Sequence, residues 1–342
     1  MQWPMAMAFT LTATLACVAV HAAQPAAAAS KAAVQTAQAP EQPFLGGFLR
    51  ETRIIYPLKL GDWHAEGEHI YEQQEAGVSV TYRDPGHADR LITLYFYPAG
   101  VVEDDEVRQV ADESIADINS NIGIPGGYSD IRMGRLERFT YEPSTKNEGD
   151  KPSIDDGKSG PQQGWSVDMR SVRDGRAYHS AMALLQHRLY FVKGRLTVGE
   201  KVLSRKKTRE LLQGFIADLL DNTTLDSTGG CWMPLPIVRK NAPLSADGPG
   251  VLFNIGPEGV EMEAVAYADR IEALDVTSTQ AKVTQLLVMS MTDRLFPGCE
   301  PASELIPTIP EGMREIRIEY RLPKGKEAVP SRRLRTRTSG LG

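Results

Sequence analysis

Residues 165–196 read WSVDMRSVRDGRAYHSAMALLQHRLYFVKGRL, and this stretch decides the fold. It holds three β-rich runs: Trp165 to Val172, Arg176 to Leu185 and Arg188 to Leu196. Asp174-Gly175 between the first two is two-residue hairpin chemistry, because both central positions of that turn need positive φ. Gln186-His187 reads as the second turn. Three strands joined by short turns form an antiparallel meander.

Working outward, the same patterns recur upstream. Val78, Val80 and Tyr82 alternate with polar residues, and Leu91 to Tyr97 is another β-rich run. Asp84-Pro85-Gly86 between them is turn chemistry, so the two runs predict a hairpin. Arg53 to Leu58 adds an earlier strand and Ile131 to Tyr141 a later one. Val107, Ala111, Ile115, Ile118 and Ile122 fall three or four apart, which predicts a helix that Pro125-Gly126-Gly127 ends. Glu103, Asp104, Asp105 and Glu106 sit at its start, where carboxylates complement the helix dipole; this reading outweighs a cation site. Downstream of the meander, Leu203, Leu211, Leu212, Phe215, Ile216, Leu219 and Leu220 predict a second helix.

The order is hairpin, helix, strand, meander, helix. Two helices packed on an antiparallel sheet make an α+β layer arrangement. With a strand opening near Tyr56-Pro57 and Trp63 soon after, residues 45–225 resemble the PsbP/Mog1/DcrB-like fold group. That resemblance implies an accessory or assembly protein without catalysis. The chain departs from the group by continuing well beyond the last helix.

The continuation, residues 226–323, reads as a smaller α+β lobe. Leu252 to Ile255 and Val260 to Asp269 predict a hairpin across Gly256-Pro257-Glu258-Gly259. Thr277-x-x-Gln280 matches a capping box, and Val283, Leu286, Leu287, Ser290 and Leu295 follow helical spacing. Val283 to Met291 also fits a strand. Glu315 to Arg321 alternates and reads as a last strand. Residues 324–342 hold six basic residues and one acid and read as a basic, solvated tail.

The amino terminus points to export. Ala6 to Val20 is uncharged and mostly apolar, too short to span a bilayer, and Val20-His21-Ala22 has the small residues that a signal peptidase reads. Residues 1–22 are therefore read as a signal peptide cleaved after Ala22, with lipidation of Cys17 as the rival. Residues 23–44, rich in Ala, Gln and Pro, read as a disordered tether, since they lack the apolar surface to offset ordering entropy. Cleavage leaves two cysteines, Cys231 and Cys299, which an oxidising compartment would join as a disulfide closing the second lobe. Trp232 and Phe296 are expected to pack over that bridge.

Composition narrows the function. The formal net charge is −6, with 42% of residues hydrophobic and 24% charged. That mildly acidic balance disfavours nucleic acid as a partner, and no second run approaches membrane-spanning length. No Gly-x-Ser-x-Gly elbow or His-Glu-x-x-His zinc helix is present. Gly157-Lys158-Ser159 ends like a phosphate loop, but Pro152 stands where that loop needs Gly. His64, Glu66, Glu68 and His69 have metal-ligand chemistry, yet on a strand His69 would face away from the other three. Asp168 and His179 fall on adjacent predicted strands and could meet. Glu261 and Glu263 share a predicted strand face, more as the wet side of a sheet than as a paired-carboxylate site. No catalytic residue, metal site or cofactor is assigned. The expectation is a periplasmic or secreted cell-envelope binding or accessory protein, with ligand and envelope partner unknown. The competing class is a periplasmic hydrolase acting on envelope polymers or small molecules.

Overall fold

A computed structural model describes residues 43–87, 90–144, 160–245, 250–254, 262–291, 294–302 and 308–322. The signal peptide with Cys17, most of the tether, the Gly157-Lys158-Ser159 segment, Glu261 and the basic tail lie outside the described residues.

The fold is α+β. It opens with β1 (Glu51–Pro57), β2 (Lys59–Leu60), β3 (Trp63–Ile70), β4 (Val78–Arg83) and β5 (Leu91–Pro98). Helix α1 (Asp104–Ser120) follows, then β6 (Asp130–Met133), β7 (Glu137–Tyr141) and the meander β8 (Gln162–Arg173), β9 (Arg176–His187) and β10 (Tyr190–Gly199). Helix α2 (Arg205–Asp221) leads to β11 (Thr224–Thr228). The remainder is β12 (Ile237–Arg239), β13 (Val251–Asn254), β14 (Ala264–Tyr267), β15 (Ile271–Ala273), α3 (Thr279–Met291) and β16 (Met313–Glu319).

Nine strands form the main sheet, in the order β2-β3-β4-β5-β10-β9-β8-β6, with β7 also on β8. The β8–β9 hairpin turns at Asp174 and Gly175, whose φ values of 50° and 71° match the sequence expectation. The next turn is not Gln186-His187 but Arg188-Leu189, with φ 53° at Arg188. Gln186 and His187 instead pair with Phe191 and Tyr190 in the ladder. Their polar side chains are satisfied inside the fold: Gln186 Nε2 donates to the carbonyls of Gly100 (2.9 Å) and Arg188 (3.0 Å). The single strand expected over 131–141 is two strands, broken at Gly134. There the Gly134 amide donates to the Asp168 carbonyl at 2.7 Å, and a Cβ would stand 2.6 Å from Asp168 Oδ1.

Two helices cover opposite faces of this sheet. Ala181, Ala183 and Leu185 of β9 join Leu212, Phe215, Ile216 and Leu219 of α2 in the larger core. Met182 and Leu184, alternating with them, join Val107, Ala111 and Ile118 of α1 on the other side. The acidic start of α1 is a capping device. Glu103 and Glu106 form a reciprocal capping box, and Glu106 Oε2 accepts from the Glu103 amide at 3.0 Å. Ser204 caps α2 by accepting from the Lys207 amide at 3.3 Å.

β1 forms a separate three-stranded sheet, β11-β1-β16, in which both neighbours are antiparallel. β16 lies beyond the smaller lobe in sequence and returns to pair with β1. Around this sheet Thr52 Oγ1 meets Ser227 Oγ at 2.8 Å, the Tyr190 and Tyr320 hydroxyls bond each other, and Arg53 pairs with Glu315 through Nε, its buried Nη2 having no partner among the described residues.

The smaller lobe is the sheet β12-β15-β14-β13 under α3. The 283–291 segment is helical, but its buried face is not the expected one. Ala281, Thr284 and Val288 point inward, while Val283, Leu286 and Leu287 are exposed. The strands beneath present Ala264, Ala266 and Ala273, so the helix approaches through its small side chains. Ser278, not Thr277, caps it, accepting from the Ala281 amide at 3.1 Å; Thr277 donates its hydroxyl to Asp275 at 2.8 Å. β14 starts at Ala264, later than expected, so Glu263 precedes the strand.

A disulfide joins Cys231 and Cys299, with Cα atoms 6.2 Å apart. Both sulfurs lie in the larger core. Around them the chain segments interlock: Ser227 N donates to Gly298 O, Glu300 N to Ser227 O and Phe296 N to Cys231 O. Phe296 packs near the bridge, its ring 5.9 Å from that of Phe48. Trp232 departs from expectation and is exposed.

Candidate functional site

The structure disperses the residues that carried chemical promise in the sequence. His64, Glu66, Glu68 and His69 all lie on β3, where a bulge between Ala65 and Gly67 shifts the register. Glu66 pairs with Arg83 at 2.7 Å, Glu68 binds the Tyr56 hydroxyl and Arg314, and the His69 ring packs on Tyr71. Asp168 and His179 do not meet. Asp168 is held by Arg205 and Arg209, and His179 Nδ1 donates to the Leu203 carbonyl at 2.7 Å. Register explains it, since Asp168 lies opposite Ala181 and His179 opposite Arg170.

Among the described residues, two surface features bring polar or charged groups together. The first is a cleft of about 520 Å³ between the β2–β3 turn, Asp84 and Arg90, and α2. Its walls carry Asp62, Glu210 and Asp218, all exposed, over the buried Trp63 and Phe215. Asp84 is already committed, accepting from the Gly86 amide (2.9 Å), His87 Nδ1 (2.7 Å) and Arg90 (3.4 Å). Burial pushes its pKa up, but these hydrogen bonds and the charges of His87 and Arg90 outweigh that and hold it low.

The second is a face of the main sheet. Along β5, Ile92, Leu94 and Phe96 point into the α2 core, so Thr93, Tyr95 and Tyr97 stand on the opposite side. Helix α1 lies on that side over β8 and β9. Register places Lys193 directly opposite Tyr95 and Arg195 opposite Thr93. On the other flank, Ser79 lies opposite Tyr95 and Thr81 opposite Thr93. Tyr95, Tyr97, Lys193 and Arg195 are half-buried. The Lys193 ammonium sits 5.2 Å from the Tyr95 ring centroid and 5.4 Å from that of Tyr97, within cation–π range. Tyr71 donates to Ser79 at 3.4 Å, and Arg195 donates to the Tyr128 hydroxyl at 3.4 Å.

The electrostatics of this face are unbalanced. Burial, and secondarily the charge of Arg195, pull the Lys193 pKa down, while Asp117 of α1 opposes them. Among the described residues neither Lys193 nor Arg195 makes an ion pair. Other part-buried cations do: Arg90 with Asp84, Arg170 with Glu200, Arg188 with Asp226, and Arg209 with Glu137 and Asp168. Desolvating a cation is costly; Asp117 of α1 offsets part of that cost for Lys193, and an anion docked beside it would offset more. Sequence reading recovered the strands here but not the face. The available signal was Lys193 and Arg195 alternating within an otherwise apolar run, with Tyr95 and Tyr97 alternating in another.

No family model matches the chain, and no curated protein matches it. Among solved structures, it is similar to cyanobacterial PsbP (CyanoP) from Synechocystis sp. PCC 6803, at 11% identity and a TM-score of 0.28, over 52% of this chain and 93% of that one. It is also similar to LpqN, described as involved in cell envelope biogenesis of Mycobacterium tuberculosis, at 12% identity and a TM-score of 0.25, over 51% of this chain and 83% of that one.

Proposed function

We propose that this is an exported cell-envelope protein, periplasmic or secreted, that acts by binding rather than by catalysis, and that the tyrosine and cation face of the main sheet is its binding surface. Export rests on the apolar run from Ala6 to Val20 and on the Cys231–Cys299 bridge, which belongs to oxidising compartments. One observation carries the binding role: Lys193, half-buried over the Tyr95 and Tyr97 rings, and Arg195, half-buried and donating to the Tyr128 hydroxyl, make no ion pair among the described residues. Such a face recognises an anionic ligand by rings and charge together. Nothing in this role requires the dispersed His, Asp and Glu residues of β3 and the meander to converge.

Co-sedimentation tests it. Wild-type protein mixed with washed, sedimentable cell envelope is expected in the pellet. The Lys193→Met/Arg195→Met variant, with its thermal midpoint unchanged, is expected to remain largely in the supernatant. Equal pelleting of both proteins, or of neither, would refute the proposed surface.

A further inference from the structure

We infer that the ligand of this face is an acidic polysaccharide, a linear sugar chain bearing carboxylates, laid along β5. The inference rests on the proposed binding role and adds the ligand's chemistry. Thr93, Tyr95 and Tyr97 stand on one side of one strand, where alternate residues are about 7 Å apart. Lys193 and Arg195 form a parallel row on β10, opposite Tyr95 and Thr93, one inter-strand spacing of about 5 Å away. The Lys193 ammonium reaches over the Tyr95 and Tyr97 rings and Arg195 lies along the strand from it, so a linear polymer laid here meets apolar rings and positive charge side by side. Tyrosine offers an apolar face for the C–H surface of a pyranose and a hydroxyl for its polar rim. The carboxylates then meet Lys193 and Arg195 as charge-assisted pairs. Tyr128, whose hydroxyl accepts from Arg195, walls the end of the cation row.

Hydroxyls favour sugar over nucleic acid as the occupant. The half-buried hydroxyls of Tyr71, Thr81 and Thr93 line the far flank of the tyrosine row and suit a polyol, while Ser79 is buried and accepts from Tyr71. Single-stranded nucleic acid takes a cation per phosphate along a groove, whereas this face offers two cations in a chain of net charge −6.

Calorimetric titration of the full-length exported protein decides the matter. The probes are an oligogalacturonate, the matching oligosaccharide with its carboxyls reduced to alcohols, and an oligothymidylate of similar length. The oligogalacturonate is expected to bind, and the reduced oligosaccharide to bind about tenfold or more weakly. Lys193→Met should weaken only the acidic probe to that extent, whereas Tyr95→Ala should weaken both sugars. Lys193→Arg, which keeps the charge, should restore most of the affinity. Tighter binding of the oligothymidylate would overturn the inference in favour of nucleic acid. Binding of neither sugar, with envelope co-sedimentation intact, would overturn the ligand class and leave the binding role standing. Loss of co-sedimentation would instead strike the role itself.

Discussion

Replacing both Cys231 and Cys299 with Ala is expected to lower the unfolding free energy by about 4 kcal/mol. The bridge spans a sequence separation of 68 residues, so in the unfolded chain it removes the freedom of a long loop. That loop contains all of the smaller lobe's sheet and α3. The lobe's own core is modest, built on Leu235, Ile271, Val288 and four alanines. The larger core, by contrast, holds both cysteines. The bridge therefore pins the two ends of a weakly cored segment into the better-packed part of the molecule. Urea unfolding of the oxidised wild type and the double variant measures the loss. Wild type unfolded in the presence of reductant should match the variant. A difference below about 1 kcal/mol would show that the lobe is held by packing alone.

His187 supplies the second large effect, as a penalty that grows in acid. It is 8% exposed, and its Nδ1 donates to Gln162 Oε1 at 3.1 Å. Burial, reinforced by the charge of Arg188 and opposed by Asp221, lowers its pKa from 6.5 to about 3. Above the unfolded value both states carry neutral imidazole, and the residue contributes nothing to pH dependence. Below it the unfolded chain takes up a proton that the folded protein refuses until about pH 3. Stability therefore falls as pH drops through this window, by about 1.4 kcal/mol per unit and about 4 to 5 kcal/mol in all. Asp84, Glu200, Glu272 and Asp275, whose pKa values are held low, also lose stabilising charge in acid. A comparison with His187→Gln cancels them. Between roughly pH 7 and pH 4 the variant should lose about 3 kcal/mol less than wild type in urea unfolding. Parallel losses in the two proteins would mean that the imidazole protonates in place.

What the sequence made legible follows from how local the signal is. Asp174-Gly175 fixes its own turn by backbone conformation, so that hairpin was readable. The stripe from Val107 to Ile118 reports a helix because one face is apolar and the other is not. Helix α3 has apolar residues on both faces, and only the alanines of β14 and β15 decide that Ala281 and Val288 turn inward. Gln186-His187 looked like a turn because both are polar. Their partners, the Gly100 carbonyl and Gln162, come from distant segments. The candidate face was hidden for the same reason. Tyr95 and Lys193 become neighbours through the β5–β10 register, and nothing near either residue announces the other.

The proposed working surface is the tyrosine and cation face rather than the cleft beside Trp63. Ring-resolved NMR of the folded protein, titrated with solubilised anionic envelope polymer, tests this most directly. The ring resonances of Tyr95, Tyr97 and Tyr128 are predicted to shift together while the Trp63 indole stays in place. A shift of the Trp63 indole with those tyrosines unmoved would transfer the site to the acidic cleft.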